Sequence, residues 1–165
     1  MKIYIISDTH RNTEPIKNIL KKNAEDIDLV IHLGDCTSDA EDIDRILGIT
    51  PLIYVSGNND PPASLFSKQA PEARAVTLEG KKFYICHGHR LSVKNTYENL
   101  FLTAEKYDYD IVLFGHTHVP WCENRGNVTI FNPGTAGVPT ARGCTYGVID
   151  IHDGITEFEI REVTI

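Results

Sequence analysis

Five short polar motifs in this chain each come directly after a run of apolar residues. Short apolar runs of this kind are typical of buried strands, so each motif would lie where a strand ends. Ligands of parallel sheets gather at the carboxyl ends of the strands, so we expect the motifs to meet at one metal site. In chain order they are Asp8-Thr9-His10, Gly34-Asp35, Gly57-Asn58-Asn59-Asp60, His87-Gly88-His89 and Gly115-His116-Thr117-His118.

The last motif follows the apolar run over residues 111–114. On an extended backbone, residues two apart point to the same side, with their Cα atoms about 6.5 Å apart. His116 and His118 would then leave the strand end together. This spacing suits one metal held by both rings, or two neighbouring metals that take one ring each.

The amino-terminal part of the chain alternates between strand and helix patterns. Thr13 is expected to cap the first helix, and Ser38-Asp39-Ala40-Glu41 fits a capping box for the second. This order predicts an α/β fold whose parallel sheet has right-handed crossovers. The predicted strands cover residues 2–7, 29–33 and 52–55, and the predicted helices cover residues 13–23 and 38–48.

The second half of the chain is richer in strands and turns. Asp153-Gly154 lies between two alternating runs, which is a strong hairpin signal. No repeat, low-complexity stretch or linker is evident, so we expect a single domain over residues 1–165. The other predicted elements are a hairpin over residues 75–86, a helix over 95–106, and strands over 111–114 and 127–131.

Composition narrows the classes of partner and compartment. The net charge of −7 argues against broad binding of nucleic acid or anionic membranes. No run approaches the roughly 20 apolar residues of a membrane span, and the first residues predict a strand, not a signal peptide. We therefore expect a cytoplasmic protein that does not enter a membrane. Its four scattered cysteines are expected to be small buried residues without disulfides.

The donor atoms of the five motifs indicate which metals the site would take. Carboxylate, imidazole and carboxamide groups suit Mn²⁺, Zn²⁺, Fe²⁺ or Ni²⁺, whereas a Ca²⁺ site would use oxygen ligands. Two metals about 3.5–4 Å apart can clamp a phosphoryl group, and a carboxylate between them holds the pair together. Asp35 is our candidate for this bridge, and manganese is our first choice of metal.

In this order, the motifs resemble the signature of the calcineurin-like metallophosphoesterases. The closest likeness is to their small single-domain phosphodiesterase branch, which also includes the retromer subunit of the vacuolar sorting type. The resemblance runs from residue 1 to about residue 150 and includes Asn132-Pro133-Gly134-Thr135, which is similar to the branch's Asn-Pro-Gly-Ser turn. It implies a four-layer α/β/β/α sandwich with two divalent metals along one sheet edge.

The resemblance also implies the ligand set and the reaction. A hydroxide held between the metals would attack phosphorus in line, which makes the chain a metal-dependent phosphodiesterase acting on a small phosphodiester. The resemblance also allows a homo-oligomer. Asp8, His10 and His118 would hold the first metal and Asn58, His87 and His116 the second, with Asp35 as the bridge.

One position departs from the family pattern. The family often has His directly after the ligand Asn, where it can protonate a leaving group, but this chain has Asn59. Asn can donate a hydrogen bond but cannot supply a proton at neutral pH. We therefore expect a preference for good leaving groups, and a faster reaction of a poor-leaving-group ester after Asn59→His.

Asn59, Asp60 and His89 are the candidate catalytic residues outside the ligand set. Asp60 would orient Asn58 or His116. His89 would contact the substrate, support a ligand, or serve as a turn residue. Nearby arginines could pair with phosphate or be ordinary surface charges; these are Arg11, Arg90 and Arg142.

Two other functions stay open at this point. The chain could be a binding scaffold that kept the fold and lost the chemistry, or a phosphatase acting on monoesters or nucleotides. Lost ligands would indicate the scaffold, yet all the ligand positions carry competent side chains. Asn59 argues against the phosphatase, because monoesters with ordinary alkyl groups need a proton donor.

Overall fold

The described part of the chain forms two five-stranded sheets and three α-helices. The computed structural model describes residues 1–61 and 70–164. In chain order the elements are β1 (Lys2–Ile6), α1 (Glu14–Lys22), β2 (Leu29–His32), α2 (Thr37–Leu47), β3 (Leu52–Tyr54), β4 (Ala73–Leu78), β5 (Lys81–Cys86), α3 (Glu98–Tyr107), β6 (Ile111–Leu113), β7 (Trp121–Arg125), β8 (Val128–Asn132), β9 (Thr145–His152) and β10 (Ile155–Glu162).

The first sheet has the strand order β10-β9-β1-β2-β3. The inner strands β1 and β2 and the edge strand β3 run parallel. Ile5 lies opposite Ile31, and Ile31 lies opposite Ile53. The predicted βαβαβ order is therefore confirmed. The last hairpin, β9 and β10, adds two antiparallel strands beside β1. Asp153 and Gly154 form its turn with φ angles of 50° and 78°, as the Asp-Gly signal predicts.

The second sheet has the order β4-β5-β6-β8-β7. Its three inner strands β5, β6 and β8 are parallel, and β4 and β7 pair antiparallel at the two edges. The predicted hairpin over residues 75–86 is the β4–β5 pair. Because β5 and β6 are parallel neighbours, the polar motifs that follow them lie at the same end of the sheet.

Three apolar clusters separate four layers. Alternate residues of β1 face opposite ways: Ile3 and Ile5 pack toward the second sheet, and Tyr4 and Ile6 pack toward α1 and α2. On the far side, α3 covers the second sheet through Phe101 and its neighbours. The predicted α/β/β/α sandwich is confirmed. The extent of one domain over residues 1–165 stays a prediction.

The predicted helix caps are wrong in detail. Thr13 precedes α1, but its side chain makes no capping hydrogen bond. The helix α2 begins before the predicted capping box, at Thr37, and follows Cys36 with its left-handed φ of 74°. Asp39 accepts a hydrogen bond from the Thr9 hydroxyl, so its carboxylate serves the loop after β1 and not the helix end.

The structure bears on two further expectations, the state of the cysteines and the lack of a helix that could span a membrane. All four cysteines are free, as predicted, and Cys86 is buried. Cys122 is exposed, which contradicts the expectation of burial at that position. Within residues 1–61 and 70–164, no helix has the length and apolar character needed to cross a membrane.

Gly147 on β9 lets the two sheets pack closely, because a Cβ atom there would overlap the Phe131 ring of the other sheet. We expect Gly147→Ala to lower the free energy of unfolding by about 1–3 kcal/mol through overpacking, measured by urea denaturation. Phe131→Leu is the control background, since the smaller side chain leaves room for the methyl group. An equal loss in both backgrounds would contradict this explanation.

Candidate metal centre

Loops from both sheets meet where the parallel strands end. Two glycines allow them to approach closely. A Cβ atom at Gly115 would overlap the Ser7 hydroxyl, and one at Gly57 would overlap the Asp35 carboxylate. The first sheet supplies Asp8, His10, Asp35 and Asn58, and the second sheet supplies His87, His116 and His118.

The backbone of these loops is strained at the predicted ligands. Left-handed φ angles are uncommon for residues other than glycine and cost roughly 1–2 kcal/mol each. Such residues cluster at functional sites and persist only where the surrounding structure enforces them. The angles are 54° at Asp8, 44° at His10, 59° at Asp35, 67° at His116 and 58° at His118.

His116 and His118 do not lie on an extended strand, so that prediction is wrong. The strand β6 ends at Leu113, and both histidines have left-handed backbone. As a result the two rings belong to different groups of donors: His118 lies with Asp8, and His116 lies with His87. The arrangement favours the alternative in which each of two metals takes one ring.

The first donor group consists of two carboxylates and two imidazoles. His118 Nε2 lies 3.1 Å from Asp8 Oδ1 and 3.4 Å from His10 Nε2. His10 Nε2 in turn lies 3.6 Å from Asp35 Oδ2. One donor atom from each of these residues lies within 4.8 Å of every other, so a single cation could contact all of them.

The second donor group shares Asp35 with the first. His87 Nε2 lies 3.4 Å from Asp35 Oδ1 and 3.2 Å from Asn58 Oδ1. The His87 and His116 rings are 5.0 Å apart between centroids. Asp35 therefore presents Oδ2 to the first group and Oδ1 to the second, which is what a bridging carboxylate does.

Two features of the protein itself fit a divalent cation here. Asp8 Oδ1 is buried and makes no well-formed hydrogen bond; the Nε2 atoms around it belong to His118, at 3.1 Å, and to His10 and His87, both at 3.9 Å. A buried carboxylate oxygen is unfavourable unless a cation or donor meets it. His87 Nδ1 hydrogen-bonds the Leu33 carbonyl at 2.8 Å, which leaves Nε2 as the nitrogen free to bind metal.

Asn59 and Asp60 support the ligand loops. Asn59 donates to both oxygens of Asp35, from its backbone amide at 2.9 Å and from its side-chain amide at 2.7 Å. Asp60 accepts hydrogen bonds from the backbone amides of Gly57, at 2.7 Å, and of Thr37. Its carboxylate therefore acts on the backbone beside the amide ligand, and not on a ligand side chain.

His89 lies beside the second donor group. Its ring centroid is 5.5 Å from that of His87 and 6.1 Å from that of His116. The Nδ1 atom of His89 is buried and has no hydrogen-bond partner among the described residues. The His89 ring therefore adjoins the second donor group.

Among the described residues, the three predicted arginines form no ion pair with the carboxylates of the donor groups. Arg90 pairs with Glu72 at 2.8 Å, and Arg11 and Arg142 are exposed. No motif pointed to Lys94, a single exposed lysine in a polar stretch, whose charge helps to lower the pKa of His116.

A family model described as "Calcineurin-like phosphoesterase superfamily domain" matches residues 1–154. The chain belongs to the calcineurin-like phosphoesterase superfamily. The family predicted from the motifs is thereby confirmed, and membership of this family implies divalent metal ions.

Two relatives by sequence extend this result. The probable metallophosphoesterase YsnB of Bacillus subtilis is 32% identical over 142 residues, which cover 86% of this chain and 79% of YsnB. The phosphodiesterase MJ0936 of Methanocaldococcus jannaschii is 29% identical over 185 residues, which cover 100% of this chain and 99% of the relative.

Two solved structures share the fold. The structure of an archaeal phosphodiesterase matches with a TM-score of 0.75 at 26% identity. The match covers 98% of this chain and 100% of the phosphodiesterase chain. Vps29 of Entamoeba histolytica in complex with Zn²⁺ also has a TM-score of 0.75, at 22% identity, over 99% of this chain and 100% of that one. The second likeness shows the fold alone.

Electrostatics keep the two acidic candidate ligands, Asp8 and Asp35, ionised. Burial by itself would raise the pKa of Asp8, but the close approach of His118 and the charge of His87 bring that pKa below its usual value. Burial also opposes ionisation of Asp35, yet His87 and the Asn59 donors lower its pKa strongly. Both side chains are therefore carboxylates, the form that binds metal.

The histidines of the second group respond in opposite directions. Burial tends to lower the pKa of His87, but its contact with Asp35 and the charge of Asp8 raise that pKa overall. Burial lowers the pKa of His116 to about 4, helped by the positive charges of His87 and Lys94. His116 is thus neutral at physiological pH, and Lys94 supplies positive charge to this side of the site.

The Asn132–Thr135 turn, which carries part of the family resemblance, holds two of the loops. The Asn132 side-chain amide donates to the Gly115 carbonyl at 2.9 Å and to the Thr117 hydroxyl at 3.0 Å. The Thr135 hydroxyl donates to the Asp8 carbonyl at 2.9 Å. This turn therefore links the loop after β6 to the loop after β1.

Burial lowers the pKa of His32 to about 4, against about 6.5 in an unfolded chain. As the pH falls below about 6.5, the unfolded chain binds a proton that folded His32 refuses, so stability is lost until the pH reaches the folded pKa. We expect this residue to remove about 2 kcal/mol of unfolding free energy between about pH 7.5 and 5.

Urea unfolding of the metal-free protein in chelator at the two pH values measures this loss. The control is His32→Gln, whose side chain does not titrate, so its stability should fall less over the same range. If the wild type and the variant lost the same amount, His32 would not be the source of the pH dependence.

Proposed function

We propose that this phosphoesterase is a metal-dependent phosphodiesterase that hydrolyses a small phosphodiester at a dinuclear centre. The proposal is carried by the position of Asp35: its two carboxylate oxygens face two separate donor groups. The relative MJ0936 is named a phosphodiesterase, which supports the reaction class.

The roles of the ligands follow from the two groups. When bound, a pair of divalent cations supplies positive charge to the phosphate and acidifies water for in-line attack on phosphorus. Manganese is our first choice, and nickel, zinc and iron suit the same nitrogen and oxygen donors. In this proposal Asp8, His10 and His118 hold one cation, Asn58, His87 and His116 hold the other, and Asp35 is shared.

Three further side chains act around the ligands in this proposal. Asn59 fixes the orientation of the Asp35 carboxylate through its two hydrogen bonds. Asp60 fixes the loop that carries the amide ligand. His89 contacts the phosphate or the leaving group, because its ring lies beside the second group.

Charge and proton supply favour a diester over a monoester. A diester carries one negative charge, whereas a phosphate monoester carries about −1.5 to −2 at neutral pH. Lys94 is the cation whose charge reaches His116, and Arg90 is already paired with Glu72. Asn59 supplies no proton to a poor leaving group.

A binding scaffold is the second candidate, because Vps29 shares the fold. The donor set argues for the enzyme: each ligand position carries a side chain able to bind metal, and the donors are gathered into two compact groups. The cytoplasmic location and the homo-oligomer stay predictions.

Hydrolysis of bis-p-nitrophenyl phosphate and of p-nitrophenyl phosphate tests the proposal. Metal-stripped protein is assayed, then refilled separately with Mn²⁺, Ni²⁺ and Zn²⁺. We expect metal-dependent cleavage of the diester and much slower cleavage of the monoester. Faster monoester cleavage would indicate a phosphatase, and bound metal without any hydrolysis would indicate the scaffold.

Two variants control this assay. Asp35→Asn keeps the size of the side chain but removes the charge that faces both groups, so we expect loss of bound metal and at least about a hundredfold lower kcat/KM. His152→Gln changes an exposed histidine on β9 and should leave both unchanged. Full metal content and activity in Asp35→Asn would contradict the shared-ligand assignment.

Asn59→His tests the missing proton donor. The measured quantity is the ratio of kcat for a diester with a poor leaving group to kcat for the p-nitrophenyl diester. We expect the variant to raise this ratio by about tenfold, because general acid catalysis helps only where the leaving group needs a proton. Asn59→Ala is the matched control, since it also removes the side-chain bond to Asp35 but adds no acid. The same substrate ratio in both variants would rule out this role.

A further inference from the structure

His32 is completely buried on β2, close to the loop that carries Asp35. The Gly34 amide donates to His32 Nδ1 at 3.1 Å, so Nδ1 is the acceptor nitrogen and Nε2 carries the proton. Nε2 lies 3.1 Å from the Thr9 hydroxyl. In this tautomer the ring joins the loop after β2 to the loop after β1.

Thr9 carries the connection on to α2. Its hydroxyl accepts from His32 and donates to Asp39 Oδ2 at 2.8 Å. The same carboxylate oxygen accepts the Arg11 amide at 2.7 Å. Thr9 and Asp39 are themselves buried. A buried polar network whose donors are all paired in this way makes the local structure rigid.

The network contacts two loops that contain five non-glycine residues with left-handed backbone. Residues with left-handed φ persist where neighbouring contacts over-determine their conformation. The contacts from His32, Thr9 and Asp39 reach the two loops in which these residues occur. The angles there are 54° at Asp8, 44° at His10, 66° at Arg11, 59° at Asp35 and 74° at Cys36.

We propose that Thr9, His32 and Asp39 form a clamp that fixes the two loops of the first sheet and thereby sets the affinity for metal. These residues belong to neither donor group and act through the ligands beside them, so they are positioning residues. Partners that support metal ligands typically change affinity by about 10–100-fold. The inference rests on the metal site of the proposed function but not on its reaction.

The clamp is tested by the Mn²⁺ dissociation constant, measured from the electron paramagnetic resonance signal of free Mn²⁺ during titration of the whole protein. Thr9→Val keeps the shape of the side chain but removes the hydroxyl between His32 and Asp39. We expect a dissociation constant about tenfold higher than in the wild type. Thr9→Ser keeps the hydroxyl and should restore affinity close to the wild-type value.

His32 variants separate the two halves of the clamp. His32→Asn keeps a side-chain acceptor near the Gly34 amide, whereas His32→Gln keeps a donor directed at Thr9. We expect both variants to bind Mn²⁺ more weakly than the wild type, because each loses one of the two connections. These variants also serve if Thr9→Val does not fold.

Val30→Ala controls for a general loss of stability. Val30 is fully buried on the same face of β2 as His32, and it packs in the apolar cluster under α1 and α2. It should lower the free energy of unfolding and leave the Mn²⁺ dissociation constant unchanged. A similar weakening of Mn²⁺ binding in Val30→Ala would overturn the clamp, since affinity would then follow stability alone.

Two other outcomes are distinguishable from each other. If the wild type bound Mn²⁺ and both Thr9→Val and the His32 variants bound it equally well, the clamp would be overturned and the proposed function would stand. If the wild type bound no metal, both would be overturned. Weakened binding in Thr9→Val with recovery in Thr9→Ser establishes the clamp, even if the protein hydrolyses no phosphodiester.

Discussion

The buried carboxylates of Asp8 and Asp35 lie within reach of the same histidines, and the rest of the structure has to accommodate this concentration of negative charge. Burying a charged group is unfavourable unless an opposite charge or hydrogen-bond donors meet it. In the part of the chain that the structure describes, the ion-pair partners of these two carboxylates are histidines, at 3.1–3.9 Å. Imidazoles give up their proton readily, so the same cluster can neutralise itself with protons or with divalent cations.

Getting so many donors around two carboxylates requires a particular kind of backbone. The strands stop before the ligands, and the chain turns sharply through left-handed residues. Gly57 and Gly115 let neighbouring loops approach where a Cβ atom would overlap another residue. The loops are held by regularly packed sheets and helices, so the left-handed backbone at the ligands is confined to a small part of the molecule.

The sequence predicted the architecture well because its signals are periodic. Alternating β and α patterns were sufficient to predict the parallel strands β1, β2 and β3, and the motif order was sufficient to predict the family. The details of the loops could not be predicted in the same way. His116 and His118 look like neighbours on a strand, but the backbone conformation after a strand ends has no period that a sequence pattern reveals.

Contacts between side chains that are far apart in the sequence were also not predicted. Asp39 fits a capping box on local spacing, yet its carboxylate bonds to Thr9 from another loop. His32 looks like an ordinary strand residue until its two hydrogen bonds are seen. Lys94 carries no motif, and its influence on His116 depends on how the chain folds. Such long-range pairings depend on three-dimensional proximity that a local pattern does not encode.

Each donor group draws on both sheets, which has a consequence for how the protein folds and comes apart. His118 of the second sheet completes the group of Asp8 and His10, and Asp35 of the first sheet completes the group of His87 and His116. Neither group can therefore exist until the two halves of the sandwich have docked. A cation bound there stabilises the docked native state and not a chain in which the two sheets are apart. Metal would therefore raise the free energy of unfolding by an amount that grows with the metal concentration.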